Sequence, residues 1–567
     1  MSKRCSDAIS TDIFLRKRIC MVEDRGVDRL SSLSDELLLH ILSFLPIRSL
    51  ISCQRLSHRF HALAGDSELW KRQYYSQWVR PRARRLANVR RSTFPSSKAE
   101  YSPKVSTWLD HSHLAGDGKI TNWKRQYRLR HNWSKGICRV TEVEFPQYSS
   151  PQMLAKFCAG VVITADSNSG LRAWVARNPK SCIARVSFSE SQTKTRFVPT
   201  ALTATRGLNP HLIDIAVGFQ SGYISMYNLD LETSQLNLRF TYAGSADGAI
   251  SAMASSSPYI LTVSHHKDLS LYEISSGLND PGKPGLPKGA RLLASLKADN
   301  IVAPTSLCIR VAHSEIIASI VYSFFHLGCG WSLGIQELRL DSNGQQLDSR
   351  LATTVDSQYN ARSLQPLGRY RGGGNLNSGH RSSHSEPFRI SSEPTILHQE
   401  PPTSISYSHP YLLASHADNT LTMHLVVSTS TGLFVKGGRR LWGHTSSVSA
   451  VQVSDRGKAV SVSSRGDEIR IWELETIISS PFGAQKTLKG ESSIPISPEN
   501  KRCERQEGVS IMSGIASFDF KETQLISDGA STKLAQIRGC VGFDDERVLL
   551  LREREVGTQL LECYDFT

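Results

Sequence analysis

The chain has 567 residues, too many for one ordinary core, so two or more units are expected. Its formal charge is +15 with 39% hydrophobic residues. A basic balance suits nucleic acid, an anionic membrane, or acidic or phosphorylated protein partners, and does not choose among them. The 11 cysteines lie between Cys5 and Cys563 with no CxxC and no regular spacing. This argues against a zinc ribbon or a disulfide framework and favours a reduced cytoplasmic or nuclear setting.

Lys3, Arg4, Asp7 and Asp12 interrupt any apolar core after Met1, which excludes a standard secretory signal. No run of about 18 apolar residues predicts a membrane span. Residues 1–26 read as a basic, disordered tail. Its Lys3-Arg4 and Arg16-Lys17-Arg18 groups fit an import signal or a solvated terminus equally.

Residues 27–78 read as three short helices. Ser34 is placed to cap the first, with Asp35 and Glu36 in its first turn against the positive helix end. Leu37, Leu38, Ile41, Leu42, Phe44 and Leu45 are too apolar for a helix with one buried face. Pro46 stops it. Ser49 opens the second helix, with Leu50, Cys53, Leu56, Phe60 and Leu63 at 3-and-4 spacing. Asp66 opens the third, which carries Leu69, Trp70, Tyr74 and Trp78. A unit of about 50 residues buries too little of its surface to stand comfortably alone.

Leu33-Ser34-x-Glu36-Leu37, Ile41-Leu42-Ser43-Phe44-Leu45, Leu50, Cys53 and Leu56-Ser57-x-Arg59-Phe60 resemble an F-box. The usual proline is Ser34 here and the usual valine is Leu56. The resemblance implies a substrate receptor of an SCF ubiquitin ligase, docked on the adaptor and through it on the cullin. Leu33, Leu37, Ile41, Leu42, Phe44, Leu45 and Leu50 would then meet the adaptor.

Residues 79–136 read as a basic linker and a Trp-rich helix. Arg80, Arg82, Arg84, Arg85, Arg90 and Arg91 form a block without acids, which fits an import signal, a solvated linker or a nucleic-acid arm. Without interleaved aromatics it has no stacking platforms, so nucleic acid is the least favoured partner. Thr121–Gly136 carries Trp123, Tyr127 and Trp133 on one helix. Similar helices join F-box to propeller in F-box proteins with WD repeats, which implies a rigid coupling.

From Ile137 short strands separated by turns take over, the texture of an all-β repeat fold. Leu441–Glu475 resembles a WD repeat, opening at Gly443-His444 and closing at Trp472-Glu473. That resemblance implies a structural relay in which His444, Ser461 or Ser463, Asp467 and Trp472 are the candidates. Hairpins at Gly160–Val175, Leu212–Leu229, Tyr259–Ile274, Ile316–Leu340 and Tyr411–Val426, with more near the C-terminus, are degenerate copies. Seven blades are expected, with eight as the alternative, and the Ile137–Phe145 strand should pair with the C-terminal strands to close the ring. Disordered insertions are expected near 360–400 and 476–506, where Gly, Ser and Pro are rich and apolar surface is scarce.

The sequence thus predicts an α+β multidomain chain: a three-helix F-box, a helical linker and a β-propeller. No HExxH, GxSxG, P-loop or dinucleotide fingerprint is present, so no catalytic residue, metal or cofactor is expected. His265-His266 and His111-x-His113 read as turn and loop residues. In phosphodegron receptors blade-top arginines grip phosphate, and Arg465 matches one such turn. Ser167, Gln220, His265 and Ala417 stand at the comparable turns, so the arginine cluster is not reproduced. The reading is a non-catalytic receptor for a protein substrate, phosphorylated or not. The rivals are a non-ligase scaffold, a nucleic-acid or ribonucleoprotein binder, and a propeller hydrolase.

Overall fold

The computed structural model describes residues 30, 32–81, 121–145 and 153–567 with breaks at 177, 189–196, 208, 244–247, 275–289, 298–300, 313–314, 342–343, 357–395, 430–431, 466–467, 480–492, 499–535 and 554–558. Two compact units emerge. One is helical and takes in residues up to Arg80 together with Asn122–Tyr127. The other contains Arg128–Thr567.

The helical unit has more helices than the apolar spacing predicts. They run Asp35–Leu42, Ile47–Cys53, His58–Ala64 and Ser67–Tyr74, with a π-turn at Tyr75–Val79. The single helix expected from Ser49 to Leu63 is broken at Gln54–Ser57. Ser57 is extended, and its side chain accepts the N–H of Phe60, so it caps a new helix. Asp66 caps the next helix by accepting the N–H groups of Glu68 and Leu69. Ser34 is extended before its helix but makes no side-chain cap. Pro46 ends one helix and stands at the N-cap of the next. Leu42, Leu50, Ala64 and Leu69 form the core. Above it, Trp70, Tyr74 and Trp78 pack on Trp123 and Tyr127 with ring centroids 4.6 to 5.5 Å apart.

The second unit is a seven-bladed propeller. Six blades are four-stranded antiparallel meanders taken in chain order: 154–186, 199–243, 250–297, 302–353, 404–441 and 448–495. The two central strands of each blade are buried on both faces, as in Val161–Asp166, and so read as continuous apolar runs. Outer strands alternate, as in Gln235–Ala243. Inner strands of successive blades contact one another round the ring, and the seventh meets the first.

The seventh blade is built from both ends of the propeller sequence. Ile137–Phe145 pairs antiparallel with Gln559–Asp565, from Arg139 opposite Asp565 to Phe145 opposite Gln559. Gln536–Phe543 and Arg547–Glu553 complete it. The insertion expected at 476–506 holds the outer strand of the sixth blade, because Ser493–Pro495 pairs with Arg470–Trp472. A helix, Leu474–Ser479, enters the same insertion. Within the insertion expected at 360–400, residues 396–400 are described and include a bridge between Gly330 and His398.

In a meander the turns alternate between two faces. The inner-strand turns Ser454–Gly457 and Asp544–Glu546 belong to one face. There Trp133 stacks on Phe566 at 4.1 Å and donates its indole N–H to the Asp545 carbonyl at 2.6 Å. The Lys458 ammonium sits 4.5 Å over the same indole. Asn132 donates to the Phe566 carbonyl, and Arg130 pairs with Glu473. The turns between central strands, among them 327–329 and 416–420, form the opposite face.

Candidate functional site

On the helical unit the seven residues expected to meet an adaptor divide by burial. Leu37, Ile41 and Phe44 are exposed to 53%, 43% and 68%. Leu33 and Leu45 are half-buried. Leu42 and Leu50 are buried in the unit's own core, so they support the surface from beneath and offer none of it. Leu30, Ile51 and Leu56, which the sequence does not place in the site, are exposed as well. The apolar spacing places Leu56 on a buried helix face, and the break at Gln54–Ser57 turns it outward. Arg59 fixes the start of the first helix by pairing with Asp35 at 2.6 Å and donating to the Leu33 carbonyl.

On the propeller the sixth blade carries a relay. His444 Nε2 lies 2.6 Å from Ser461 Oγ, which also accepts the Trp472 indole N–H at 2.7 Å. Ser463 stands apart and accepts the N–H of Glu468. Asp467 lies outside the described residues. The acid beside the histidine is Glu468, 3.4 Å from His444 Nδ1. Burial opposes its charge, but the Thr445 N–H and the Arg470 guanidinium hold its pKa below the ordinary carboxylate value. The first blade repeats the pattern with different letters: Trp174 donates to Thr164 and Arg172 pairs with Asp166. All of these groups are buried or half-buried and bind one another, which makes them blade cement.

Arg465 is exposed in its turn. His265 and Gln220 are exposed as well, and Ser167 and Ala417 are half-buried. Of the basic block, Arg80 is described and exposed, and the other arginines lie outside the described residues, as do His111 and His113. Among the described residues no group of three or more His, Cys, Asp or Glu side chains has metal-holding geometry. No described helix is long and apolar enough to cross a membrane.

The fourth blade departs from its neighbours. Its central strands, Glu315–His326 and Gly330–Leu340, are the longest central strands among the described blades. The inner strand follows them only to Ser323 and the outer strand only to Gly334. Beyond those points the hairpin projects, with Phe325 opposite Trp331 and Leu327 at the tip 97% exposed. Gly330 has a φ of +66°, and a Cβ there would lie 2.4 Å from the His398 carbonyl oxygen. Glycine therefore lets the 396–400 segment lie against the hairpin.

Residues 138–567 match the family model described as the F-box protein pof12 beta-propeller. The chain belongs to that family. Residues 30–76 match the F-box-like model. The F-box protein pof12 of Schizosaccharomyces pombe (strain 972 / ATCC 24843) is 22% identical over 502 residues, covering 84% of this chain and 92% of the relative. The F-box protein dre-1 of Caenorhabditis elegans is 30% identical over 111 residues, 19% of this chain and 10% of that protein. Among solved structures, the WD40 β-propeller domain of Doa1 aligns over 72% of this chain and 90% of its own, with a TM-score of 0.32 and 10% identity. Saccharomyces cerevisiae Sqt1 aligns over 75% and 97%, with a TM-score of 0.32 and 9% identity. Family membership rests on the sequence matches. The chain is thus an F-box protein with a seven-bladed propeller.

Proposed function

We propose that this F-box protein is a substrate receptor of an SCF-type ubiquitin ligase. The observation that carries the reading is the exposed apolar face of the F-box, with Leu37, Ile41 and Phe44 raised over a closed core. A large exposed apolar patch marks a place where another protein sits. The adaptor would cover it, and the propeller would hold a target protein on its loops. The chain itself would do no chemistry. Its contribution is proximity, which brings target lysines to the conjugating enzyme loaded elsewhere in the assembly.

The test uses exposed positions, so that folding and docking separate. Leu37→Asp combined with Phe44→Asp puts two charges into the contact and leaves the Leu42–Leu50 core untouched. A buried unpaired charge costs several kcal/mol, roughly 3–5, which is enough to remove adaptor co-purification. Retention of adaptor by the folded double variant would overturn the reading.

A further inference from the structure

The sixth blade differs from the others in its outer strand. Among the described strands the other outer strands have eight or nine residues, whereas Ser493–Pro495 has three. It pairs antiparallel with Arg470–Trp472. The chain then crosses to the seventh blade, where Ser497–Pro498 lies parallel to Ile137–Cys138. One short segment thus edges two blades. Residues 474–492 separate it from the preceding strand of its blade, and residues 499–535 separate it from the inner strand of the next.

Its side chains alternate as an extended segment requires. Ser493 is buried, and its hydroxyl accepts a guanidinium N–H of Arg470 at 2.7 Å. Pro495, two residues on, is exposed. Ile494 and Ile496 are half-buried on a cluster that joins Leu129 and Trp133 of the Trp123–Lys135 helix to Val460, Ile469 and Ile471 of the blade. Gly136 follows that helix with a φ of +65°, and a Cβ there would collide with the Pro495 carbonyl oxygen. The segment therefore clasps the blade edge and the end of the helix together.

This clasp has little to hold it. Pro495 and Pro498 have no N–H to donate. The Ile496 N–H reaches the Ile469 carbonyl at 3.0 Å. Seating the segment closes a long connection on either side, and a short pairing with two half-buried isoleucines must offset that entropy. Segments of this kind open at the low end of the range of local stabilities. The ring does not depend on it. Lys458–Ser463 and Ile469–Glu473 pair with each other behind the clasp, and Ile137–Phe145 is held by Gln559–Asp565 on its other side.

We propose that Ser493–Pro498 is an exchangeable strand. It leaves its place without opening the ring, and the vacated edge takes up an extended segment of a partner protein. The clasp itself defines what fits. The partner's backbone adds a strand to Ile469–Trp472, and two branched aliphatic residues, two positions apart, replace Ile494 and Ile496 on the cluster. A serine or threonine just before the first supplies the hydroxyl for Arg470. A charge at either aliphatic position would be carried into an apolar cluster unpaired, which excludes it. The edge lies on the propeller unit, so this binding is independent of the adaptor contact proposed above.

The experiment uses the full chain and, as probe, a labelled peptide of the clasp's own sequence, residues 492–499. In hydrogen exchange, the amides of Ile494 and Ile496 should exchange at least about a hundredfold faster than those of Lys458–Ser463. A chain carrying Ile494→Ser with Ile496→Ser should keep the cooperative melt of the ring. It should bind the peptide at least about tenfold more tightly than the parent, whose own clasp occupies the edge. A peptide with serine at both isoleucine positions should bind neither chain. Clasp amides as slow as those of the central strand, loss of the ring's melt in the variant, or a folded variant that does not take up the peptide would each overturn the proposal.

Discussion

The fifth and sixth blades have the same backbone plan but opposite polar interiors. In the sixth, Ser461 lies opposite Arg470 and Ala459 opposite Trp472. In the fifth, the same register places Ala414 opposite Thr422 and Leu412 opposite His424. A histidine precedes the inner strand in both, His444 in one and His398 in the other. The difference is the central hydroxyl. Ser461 joins His444 to Trp472, and Thr164 has the matching role toward Trp174 in the first blade. The fifth blade has Ala414 at that point, its hydroxyl moves to Thr422, and the imidazole nitrogens of His416 find no partner among the described residues. A repeat can therefore retain its strands while changing a closed polar network into an open one.

Acid should separate the two blades most strongly. His398, His416 and His424 are held at about 4, 3 and 4, against 6.5 for a free imidazole. The unfolded chain therefore binds more protons as pH falls from about 6.5, and propeller stability drops until the folded values near 4 are reached. Each imidazole adds up to about 1.4 kcal/mol per pH unit to that slope. Urea unfolding at stepped pH should show the slope, and His416→Phe should flatten it by one imidazole's share. An unchanged slope in that variant would count against a neutral buried His416.

Trp472→Ala should come next. It empties a fully buried position and strips Ser461 of a donor, for a loss of roughly 3–5 kcal/mol in the same unfolding measurement. Ser461→Ala keeps the packing but leaves His444 and Trp472 without their shared oxygen, costing about 1–3 kcal/mol. In the fifth blade the signs should reverse. His416→Phe at neutral pH should be neutral or slightly stabilising, because it removes two buried nitrogens that have no partner among the described residues. Ala414→Ser, read by thermal melting, should stabilise by about 1 kcal/mol as the new hydroxyl finds an imidazole. A loss from Ala414→Ser would mean that the two blades are not interchangeable at that register.

The sixth blade was legible because Gly443-His444 and Trp472-Glu473 bracket an ordinary hairpin. The architecture was legible for a similar reason, since central strands buried on both faces leave continuous apolar runs between turn residues. The first-blade pair Trp174 and Thr164 was readable only by register, two residues either side of a turn, and carried no flanking Gly-His. The fifth-blade histidine stack was hidden. His398, His416 and His424 look like scattered polar residues until the bridge at Gly330 brings the first beside the other two. In the helical unit, the apolar spacing that predicted one long helix runs on across the break at Gln54–Ser57. Ser57 before His58 was the available sign of a new start. Burial of Leu42 and Leu50 was not separable by sequence from exposure of Leu37, Ile41 and Phe44, because leucines on both sides of a short helix have the same composition.

The closing strand ties the propeller to the order in which the chain is made. Ile137–Phe145 is synthesised more than four hundred residues before its partner, Gln559–Asp565. More than four hundred residues separate the paired strands, as Asn132 and Phe566, 434 positions apart, also register. Such distant pairing pays its loop-closure entropy late and folds slowly. A product halted before residue 559 would carry an entire F-box and an unclosed ring. Closure of the ring thus waits on residues 559–565, long after the F-box sequence has been made.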